Sequence, residues 1–248
     1  MSLTRDLKDK AKEVGFALIG VSSPERLRNL PHGAVGKIVN LRSVEDEFPF
    51  AKSVVLLGFH AWDKAYNLAI NAPGWLGYGM HDPNEHFEWY QFYYEIVKNM
   101  AWNLVDFLRK RGFESAPSLR IPLKPAAVIA GLGYQGKNTL LVNPNFGPRV
   151  RLVSVLTTAE LDLDEPFTED LCKECEKCVT ACPTKALKPY KLTINRCMTY
   201  SAESPHSPDV EHDVRVLERK LLRRPSLHSY IECTICIDAC PIGKSRQD

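Results

Sequence analysis

The spacing of the cysteines is the feature of this chain that most directly indicates chemistry. All eight cysteines lie between Cys172 and Cys240, and the first 171 residues contain none. The first run, Cys172 to Pro183, reads C-x2-C-x2-C-x3-C-P. That run is typical of bacterial iron–sulfur proteins, in which three thiolates hold one cluster and the fourth binds the other.

A second copy of the spacing lies near the end of the sequence. Cys233, Cys236 and Cys240 keep the pattern, Pro241 follows, and Tyr230 occupies the place of the first cysteine. Cys197 is the one cysteine outside both runs, so it can supply the missing thiolate. We therefore predict two 4Fe–4S clusters, one held by Cys172, Cys175, Cys178 and Cys240 and the other by Cys182, Cys197, Cys233 and Cys236.

Two other uses of clustered cysteines are weaker interpretations. Structural zinc also takes C-x2-C pairs, but as separated pairs and not as three cysteines in one run. Disulfides are rare in a reducing cytosol, where a cysteine cluster indicates metal or redox chemistry.

The composition is that of an ordinary globular protein. The 248 residues are 44% hydrophobic and 25% charged, and 32 Lys and Arg face 30 Asp and Glu, for a net charge of +2. Such a balance argues against binding nucleic acid or membranes by bulk attraction. There is no apolar run of roughly 18–20 residues, and the N-terminus mixes both charge signs without an apolar core, unlike a signal peptide. We expect a cytoplasmic protein with no membrane partner.

The elements that must position the cysteines alternate between helix and strand, which predicts an α/β layer structure. Hydrophobic periodicity predicts helices at 4–15 and 84–112 and strands at 16–21, 53–59 and 150–156. The composition changes near Leu163, which predicts an N-terminal domain at 1–164 and a cluster module at 165–248.

A glycine-rich segment precedes the cysteine module. Gly131, Gly133 and Gly136 match G-x-G-x-x-G, and Lys137 and Asn138 follow directly. A phosphate-binding turn of this type must open a helix. Here the chain turns again within about six residues, so nucleotide binding is disfavoured.

Residues 130–151, followed at short range by the first cysteine run, resemble the corrinoid iron–sulfur reductases. This group comprises the epoxyqueuosine reductases and the reductive dehalogenases. The Gly147-Pro-Arg-Val-Arg151 ending is similar to the dehalogenase branch. The opening residues 7–21 and the lone Cys197 are similar to the epoxyqueuosine reductases.

The resemblance implies a nitroreductase-like α/β (α+β) domain that binds base-off cobalamin, followed by a ferredoxin-like dicluster module. Electrons from a ferredoxin or flavodoxin would pass singly through two 4Fe–4S clusters to give Co(I), and the cofactor would carry the difficult chemistry. Cofactor-binding positions are then expected in the glycine segment, at Gly131, Gly133, Gly136 and Asn138.

The resemblance also implies a proton donor. In the dehalogenases this is a tyrosine beside a basic residue, and Tyr78 and Lys137 are the candidates here; packing and surface roles are the alternatives. A neighbouring ammonium stabilises the phenolate that remains. Epoxyqueuosine reductases use an aspartate instead, but its position falls at Pro117, and no carboxylate occurs between Glu114 and Glu160.

Several hypotheses stay open at this point. The substrate is expected to be a small molecule, with nucleic acid as an alternative. The alternatives to a reductase are a dicluster electron-transfer protein without a substrate of its own and a flavin protein of the same fold. The basic stretch from Arg215 to Arg224 is either a solvated face or a dock for an acidic ferredoxin or RNA.

Overall fold

The computed structural model describes residues 2–35, 39–61, 64–72 and 88–243. Its helices are α1 (Leu3–Val14), α2 (Pro24–Leu27), α3 (Val44–Glu47), α4 (Phe92–Arg109), α5 (Leu123–Ile129), α6 (Lys177–Ala181), α7 (Met198–Glu203), α8 (His212–Leu221) and α9 (Ile235–Asp238). Its strands are β1 (Leu18–Ser22), β2 (Gly33–Val35), β3 (Val39–Leu41), β4 (Ser53–His60), β5 (Leu68–Ala72), β6 (Glu88–Gln91), β7 (Ser115–Ser118), β8 (Tyr134–Gln135), β9 (Leu141–Val142), β10 (Val150–Thr157), β11 (Leu187–Lys188), β12 (Lys191–Leu192) and β13 (Ser229–Ile231).

Four antiparallel strands form the main sheet, in the order β1-β4-β10-β7. Helices α1 and α4 pack on one face and α5 on the other, so the two central strands are covered on both sides. Residues 54–57 are fully buried for this reason, which explains why the strand reads as a continuous apolar run. The structure is therefore a mixed fold of helices and an antiparallel sheet.

Most of the predicted elements form, with one difference. The predicted helix at 84–112 begins only at Phe92, because residues Glu88–Gln91 form β6 and pair with β5. Residues 84–87 lie outside the described part. A sheet partner distant in sequence thus overrides the helical periodicity of this stretch. Further along the helix, Val97, Ala101, Leu104 and Leu108 are buried as the periodicity predicts.

The glycine segment folds as a hairpin and opens no helix. It follows the C-terminus of α5 and continues into β8 and β9, which pair with each other. This geometry lacks the strand-to-helix turn that a phosphate-binding loop requires.

The C-terminal segment joins the N-terminal part through strand β13. Its residue Tyr230 pairs with Ala69 of β5, so the two segments share one small sheet. Tyr230 is 1% exposed and packs in a cluster with Ala69, Ala202 and Leu222. Tyr230, which stands where the spacing would place a first cysteine, is therefore part of a buried cluster. The domain division at residue 164 stays a prediction.

None of the helices in the described ranges is both long and apolar enough to cross a membrane.

Candidate metal centre

The eight cysteines fall into two neighbour groups. Burial is the largest cause that raises the pKa of Cys178, and the next largest are the thiols of Cys172 and Cys240. The pKa of Cys240 is likewise raised by Cys172 and Cys175. In the other group, Cys197 and Cys182 raise the pKa of both remaining thiols, Cys233 and Cys236. Cys178 also raises the pKa of Cys236, so the two groups lie next to each other. Which four cysteines bind each cluster stays a prediction. Among the described residues, no group of three or more Cys, His, Asp or Glu side chains is arranged so that it could hold a single metal ion.

Burial makes the second group of thiols hard to ionise without a metal. It raises the pKa of Cys233 to about 11 and that of Cys236 to about 12. Metal coordination holds such a thiol as the thiolate and releases its proton. These positions therefore suit metal-bound cysteines better than reactive free thiols, which require a lowered pKa.

A buried arginine fixes the end of the second cysteine run. The Arg149 guanidinium donates hydrogen bonds to the carbonyl oxygens of Ile242 (3.1 Å), Ile237 (3.3 Å) and Cys240 (3.4 Å). Arg149 is 7% exposed, and its positive charge lowers the pKa of the Cys240 thiol against the effect of burial. The Gly-Pro-Arg-Val-Arg ending of the glycine segment thus clamps the turn that carries Cys240.

The turn at Gly147 allows this close approach. A Cβ on Gly147 would lie 2.1 Å from the carbonyl oxygen of Ile242, and a Cβ on Gly243 would lie 2.3 Å from the backbone of Gly147. Both residues have positive φ, 57° and 76°. Glycine is required at both positions, because backbone from the two segments meets there.

The predicted cofactor-binding glycines pack against backbone. A Cβ would lie 2.6 Å from the Glu165 carbonyl oxygen at Gly131 and 2.4 Å from the Val142 carbonyl oxygen at Gly133; at Gly136 it would meet the Val142 side chain at 2.6 Å. Asn138 is buried, and its side chain accepts a hydrogen bond from the Leu140 N–H at 3.2 Å. These contacts shape the hairpin, and cofactor contact by this segment stays a prediction.

Lys137 lies against the first cysteine run. Its backbone N–H points at the Cys172 Sγ at 3.5 Å, and its ammonium is 3.7 Å from a carboxylate oxygen of Glu176. The side chain is 8% exposed. The alternative of a surface lysine is therefore wrong. The structure places Lys137 at the cysteines, and its predicted role in protonation stays a prediction.

A second charged site lies beside the second cysteine group, and sequence reasoning missed most of it. Arg151 forms an ion pair with Glu232 at 3.2 Å, hydrogen-bonds to Asn67 and stacks over the ring of Tyr93 at 4.0 Å. The amide of Gln91 donates to both Glu232 and Glu203 at 2.5 Å. Glu203 and Glu232 therefore share the Gln91 amide as a donor, and Glu232 also forms the ion pair with Arg151.

The consequence is a carboxyl group that holds a proton at neutral pH. Burial, followed by the nearby charge of Glu232, raises the pKa of Glu203 to about 8. Arg151 acts in the opposite direction but less strongly.

Two further side chains, Lys124 and Tyr94, lie close enough to this site to interact with its charges. Lys124 is exposed, and loss of hydration and the charge of Arg151 lower its pKa, while Cys197, Cys236 and Glu203 raise it. Tyr94 is 38% exposed, and loss of hydration and the charges of Glu232 and Glu203 raise its pKa. We call the group formed by Tyr94, Lys124, Arg151 and Glu203 the charged recess.

Tyr78, the predicted proton donor, lies outside the described residues. Pro117 lies in β7, paired with Val155. His60 stacks on Phe146 with ring centroids 4.6 Å apart, and burial lowers its pKa.

Comparison with known proteins identifies the cysteine-rich part. The family model for the 4Fe-4S double cluster binding domain matches residues 171–243. The epoxyqueuosine reductase of Prochlorococcus marinus is 24% identical over 97% of this chain and 78% of its own length. The tetrachloroethene reductive dehalogenase of Dehalobacter restrictus is 39% identical over 102 residues, which are 38% of this chain and 18% of the enzyme.

The chain is therefore similar to epoxyqueuosine reductases along nearly its whole length and to reductive dehalogenases over a shorter part. Solved structures agree on the fold. An epoxyqueuosine reductase bound to a tRNA-Tyr stem loop has a TM-score of 0.70 at 20% identity, covering 98% of this chain and 66% of the other. A reductive dehalogenase studied for B12-dependent dehalogenation has a TM-score of 0.54 at 16% identity, covering 86% and 33%. The chain thus spans slightly less than two thirds of the first structure and a third of the second.

The relatives imply two 4Fe–4S clusters and a cobalamin. The described residues include the eight free thiols that two such clusters need. The charged recess places an aromatic ring and several ionisable side chains beside the second group. Sequence reasoning could have found Arg151 from its motif, but Lys124, Glu203 and Gln91 belong to no motif.

Replacing Gly147 with alanine tests the backbone contact that fixes Cys240. Gly147→Ala should lower the iron bound per chain after anaerobic reconstitution and lower the melting temperature, because the new Cβ would displace the turn. Gly112→Ala is the matched control, since Gly112 also has positive φ (86°) but open space around its Cβ position. It should cost only the backbone strain, about 1–2 kcal/mol, and leave iron content unchanged. Equal iron content in both variants would contradict the role of the contact.

Glu203→Gln should make stability less dependent on pH. The folded carboxyl has a pKa of about 8 against an ordinary 4.5, so the folded state binds the extra proton and loses stability as pH rises through this interval. The variant should melt a few degrees higher than the native protein at pH 8.5 and at the same temperature near pH 4.5. Glu232→Gln, which leaves Arg151 without its ion-pair partner, should destabilise the protein instead. If the melting temperatures of the native protein and Glu203→Gln differed by the same amount at both pH values, the assignment would be contradicted.

Proposed function

We propose that this chain is a reductase that uses two 4Fe–4S clusters and a cobalamin to reduce a small-molecule substrate. The observation that carries the proposal is the charged recess beside the second cysteine group. An electron-transfer protein would require the cysteine groups but not an ammonium, a guanidinium and two carboxyl groups gathered beside them. The nitroreductase-like description of the first domain belongs to the same proposal.

The cysteine groups would hold the clusters as the spacing predicts. Cys172, Cys175, Cys178 and Cys240 would bind the first cluster, and Cys182, Cys197, Cys233 and Cys236 the second. Arg149, through its three carbonyl contacts, orients the turn that carries Cys240. Lys137 places a backbone N–H at the Cys172 sulfur, and hydrogen bonds to cluster sulfurs are one means by which proteins set cluster potentials.

The charged recess would hold the corrinoid and the substrate. Bound there, the cobalamin would supply a strongly reducing Co(I) centre. Tyr94 contributes an aromatic wall, and Lys124 and Arg151 place two cations where an anionic substrate or a developing negative charge is stabilised. The low hydration of these groups strengthens their electrostatic effect.

Tyr78 is our proposed proton donor. Its basic partner is proposed to be Lys137, as the resemblance suggests, and Lys124 is a second candidate because its ammonium reaches the charged recess. The aspartate used by epoxyqueuosine reductases has no counterpart between residues 115 and 159, which favours a phenol as donor. A cation beside the phenol favours the phenolate formed when the proton leaves.

Epoxyqueuosine in tRNA is the second candidate substrate. It is supported by the extent of the match, which covers 97% of this chain for an epoxyqueuosine reductase and 38% for a dehalogenase. The absence of an aspartate at the position of Pro117 favours the small-molecule candidate. An organohalide such as a halogenated phenol represents that class.

The proposal is tested by reconstituting both clusters without oxygen, adding hydroxocobalamin, removing the excess and measuring cobalt per chain. The loaded protein is then reduced and supplied with an epoxyqueuosine tRNA stem loop or with halogenated phenols. About one cobalt per chain and turnover of either substrate would support a corrinoid reductase. No retained cobalt, with reversible cluster reduction, would favour an electron carrier, and a yellow cofactor released on denaturation would favour a flavin protein.

Tyr78→Phe should reduce turnover by roughly 10²–10⁴-fold, the usual contribution of a general acid, while cluster and corrinoid spectra stay unchanged. Tyr94→Phe is the comparison, because Tyr94 is the tyrosine of the charged recess. It should retain most of the activity. Full activity in Tyr78→Phe combined with loss in Tyr94→Phe would assign the proton to Tyr94 and contradict our assignment.

A further inference from the structure

We propose that residues 185–192 form the docking surface for an acidic one-electron carrier protein. These residues, called the lysine hairpin below, consist of β11, β12, the turn between them and the preceding Lys185. The inference rests on the proposed function, since a reductase of this type requires an external source of electrons.

The lysine hairpin is joined to the first cysteine run by a short chain of contacts. The backbone N–H of Tyr190 donates to the carbonyl oxygen of Lys137 at 3.2 Å. The N–H of Lys137 in turn points at the Cys172 Sγ at 3.5 Å. On the other side, the Tyr190 hydroxyl donates to Asp170 at 3.3 Å, and Asp170 accepts the N–H of Cys172 at 2.8 Å. A protein seated on the hairpin is therefore two hydrogen bonds from a predicted ligand of the first cluster.

The charge of the hairpin is not balanced locally. Lys188 and Lys191 pair directly across the two strands, and Lys185 lies close by in sequence. All three are exposed, and none forms an ion pair with any residue that the structure describes. Like charges in directly opposed positions destabilise a hairpin, so this arrangement costs stability when the surface is free. An acidic partner would remove that cost.

Two of the carboxylates near the hairpin are already engaged, and a third, Glu174, lies near Tyr190. Asp170 accepts hydrogen bonds from the backbone of Cys172 and Lys173. Glu176 lies within ion-pair distance of the buried Lys137. The three lysines thus remain available to a carboxylate-rich protein surface, and charge complementarity steers such an encounter.

Exposed apolar side chains lie in the same hairpin as the three lysines. Tyr190 is 44% exposed and Leu192 is 37% exposed. An apolar centre with a charged rim is the usual anatomy of a protein–protein interface, and tyrosine is enriched in such centres. Tyr190 also holds a left-handed backbone conformation, φ 61°, which is rare for a bulky residue and keeps the ring at the tip of the turn.

Helix α8 is the competing basic surface. Arg219 and Lys220 are exposed there together with Val216 and Leu221. The inner residues of this part of the chain, Val214 and Leu222, pack in clusters with Cys197 and Cys233. A carrier on α8 would therefore have a layer of helix between itself and the second cysteine group. The hairpin reaches the first group without such a layer, and we assign the docking there.

The electron balance of the step is simple. The hydroquinone of a flavodoxin loses one electron and becomes the semiquinone, and the first 4Fe–4S cluster gains that electron. No bond between the two proteins forms or breaks. Two such encounters supply the two electrons of one substrate reduction.

The test uses the cluster-loaded chain and a flavodoxin as the acidic carrier. Lys188→Glu/Lys191→Glu keeps the opposed like-charge pair of the hairpin and reverses its sign, so the cost to folding is matched. We expect the dissociation constant for oxidised flavodoxin, measured by calorimetry at low salt, to rise roughly tenfold to hundredfold, in line with electrostatic steering. The rate of cluster reduction by flavodoxin hydroquinone should fall similarly, while reduction by dithionite stays unchanged.

Lys220→Glu on α8 is the control and should change neither the binding nor the rate. Native binding by the hairpin variant, or a loss confined to Lys220→Glu, would overturn the proposal. A failure of the proposed function gives a different result. The native chain, loaded with corrinoid and reduced by dithionite, would then reduce no substrate, while the hairpin variant would still lose flavodoxin binding.

Discussion

The buried guanidinium of Arg149 joins the two halves of this molecule. It follows the glycine segment directly before β10, and its three carbonyl acceptors lie in the second cysteine run. Hydrogen bonds to a charged group contribute about 1.5–3 kcal/mol each when buried. Cys240 belongs to the same neighbour group as three cysteines from a distant part of the chain, Cys172, Cys175 and Cys178. Arg149 therefore helps to set the position of the Cys240 thiol relative to these three. The backbone contact between Gly147 and Ile242 makes the approach possible.

Arg151, two residues further along, performs a related function for the charged recess. It is paired with Glu232, the residue directly before Cys233, and it is close enough to Lys124 to lower the pKa of that ammonium. Two cations and two carboxyl groups therefore lie together beside the second cysteine group. Burying so many charges costs free energy unless each is paired, and Glu203 avoids the cost by holding a proton. Such unfavourable arrangements of ionisable groups are typical of functional sites.

The sequence alone was sufficient for the parts of the structure that depend on local rules. Cysteine spacing predicted the double cluster domain that matches residues 171–243, and apolar runs predicted β1, β4 and β10. The start of α4 was wrong because β6 forms by pairing with β5, which no local pattern of residues 84–91 reveals. The charged recess was missed for a similar reason. Lys124, Gln91 and Glu203 come from three distant segments, and only the folded chain brings them together. The glycine segment opens no helix, as the sequence predicts, but its close packing on Val142 and Glu165 required the structure.

The central claim is that the charged recess holds a corrinoid next to the second cluster, and electron paramagnetic resonance tests it most directly. The reconstituted chain is loaded with cobalamin, freed of excess and poised so that Co(II) and the reduced clusters coexist. The account predicts a base-off cob(II)alamin signal whose line shape changes when the second cluster is reduced, and no such change in Cys197→Ser. A base-on signal, or a base-off signal indifferent to the reduction state of the clusters, would contradict it.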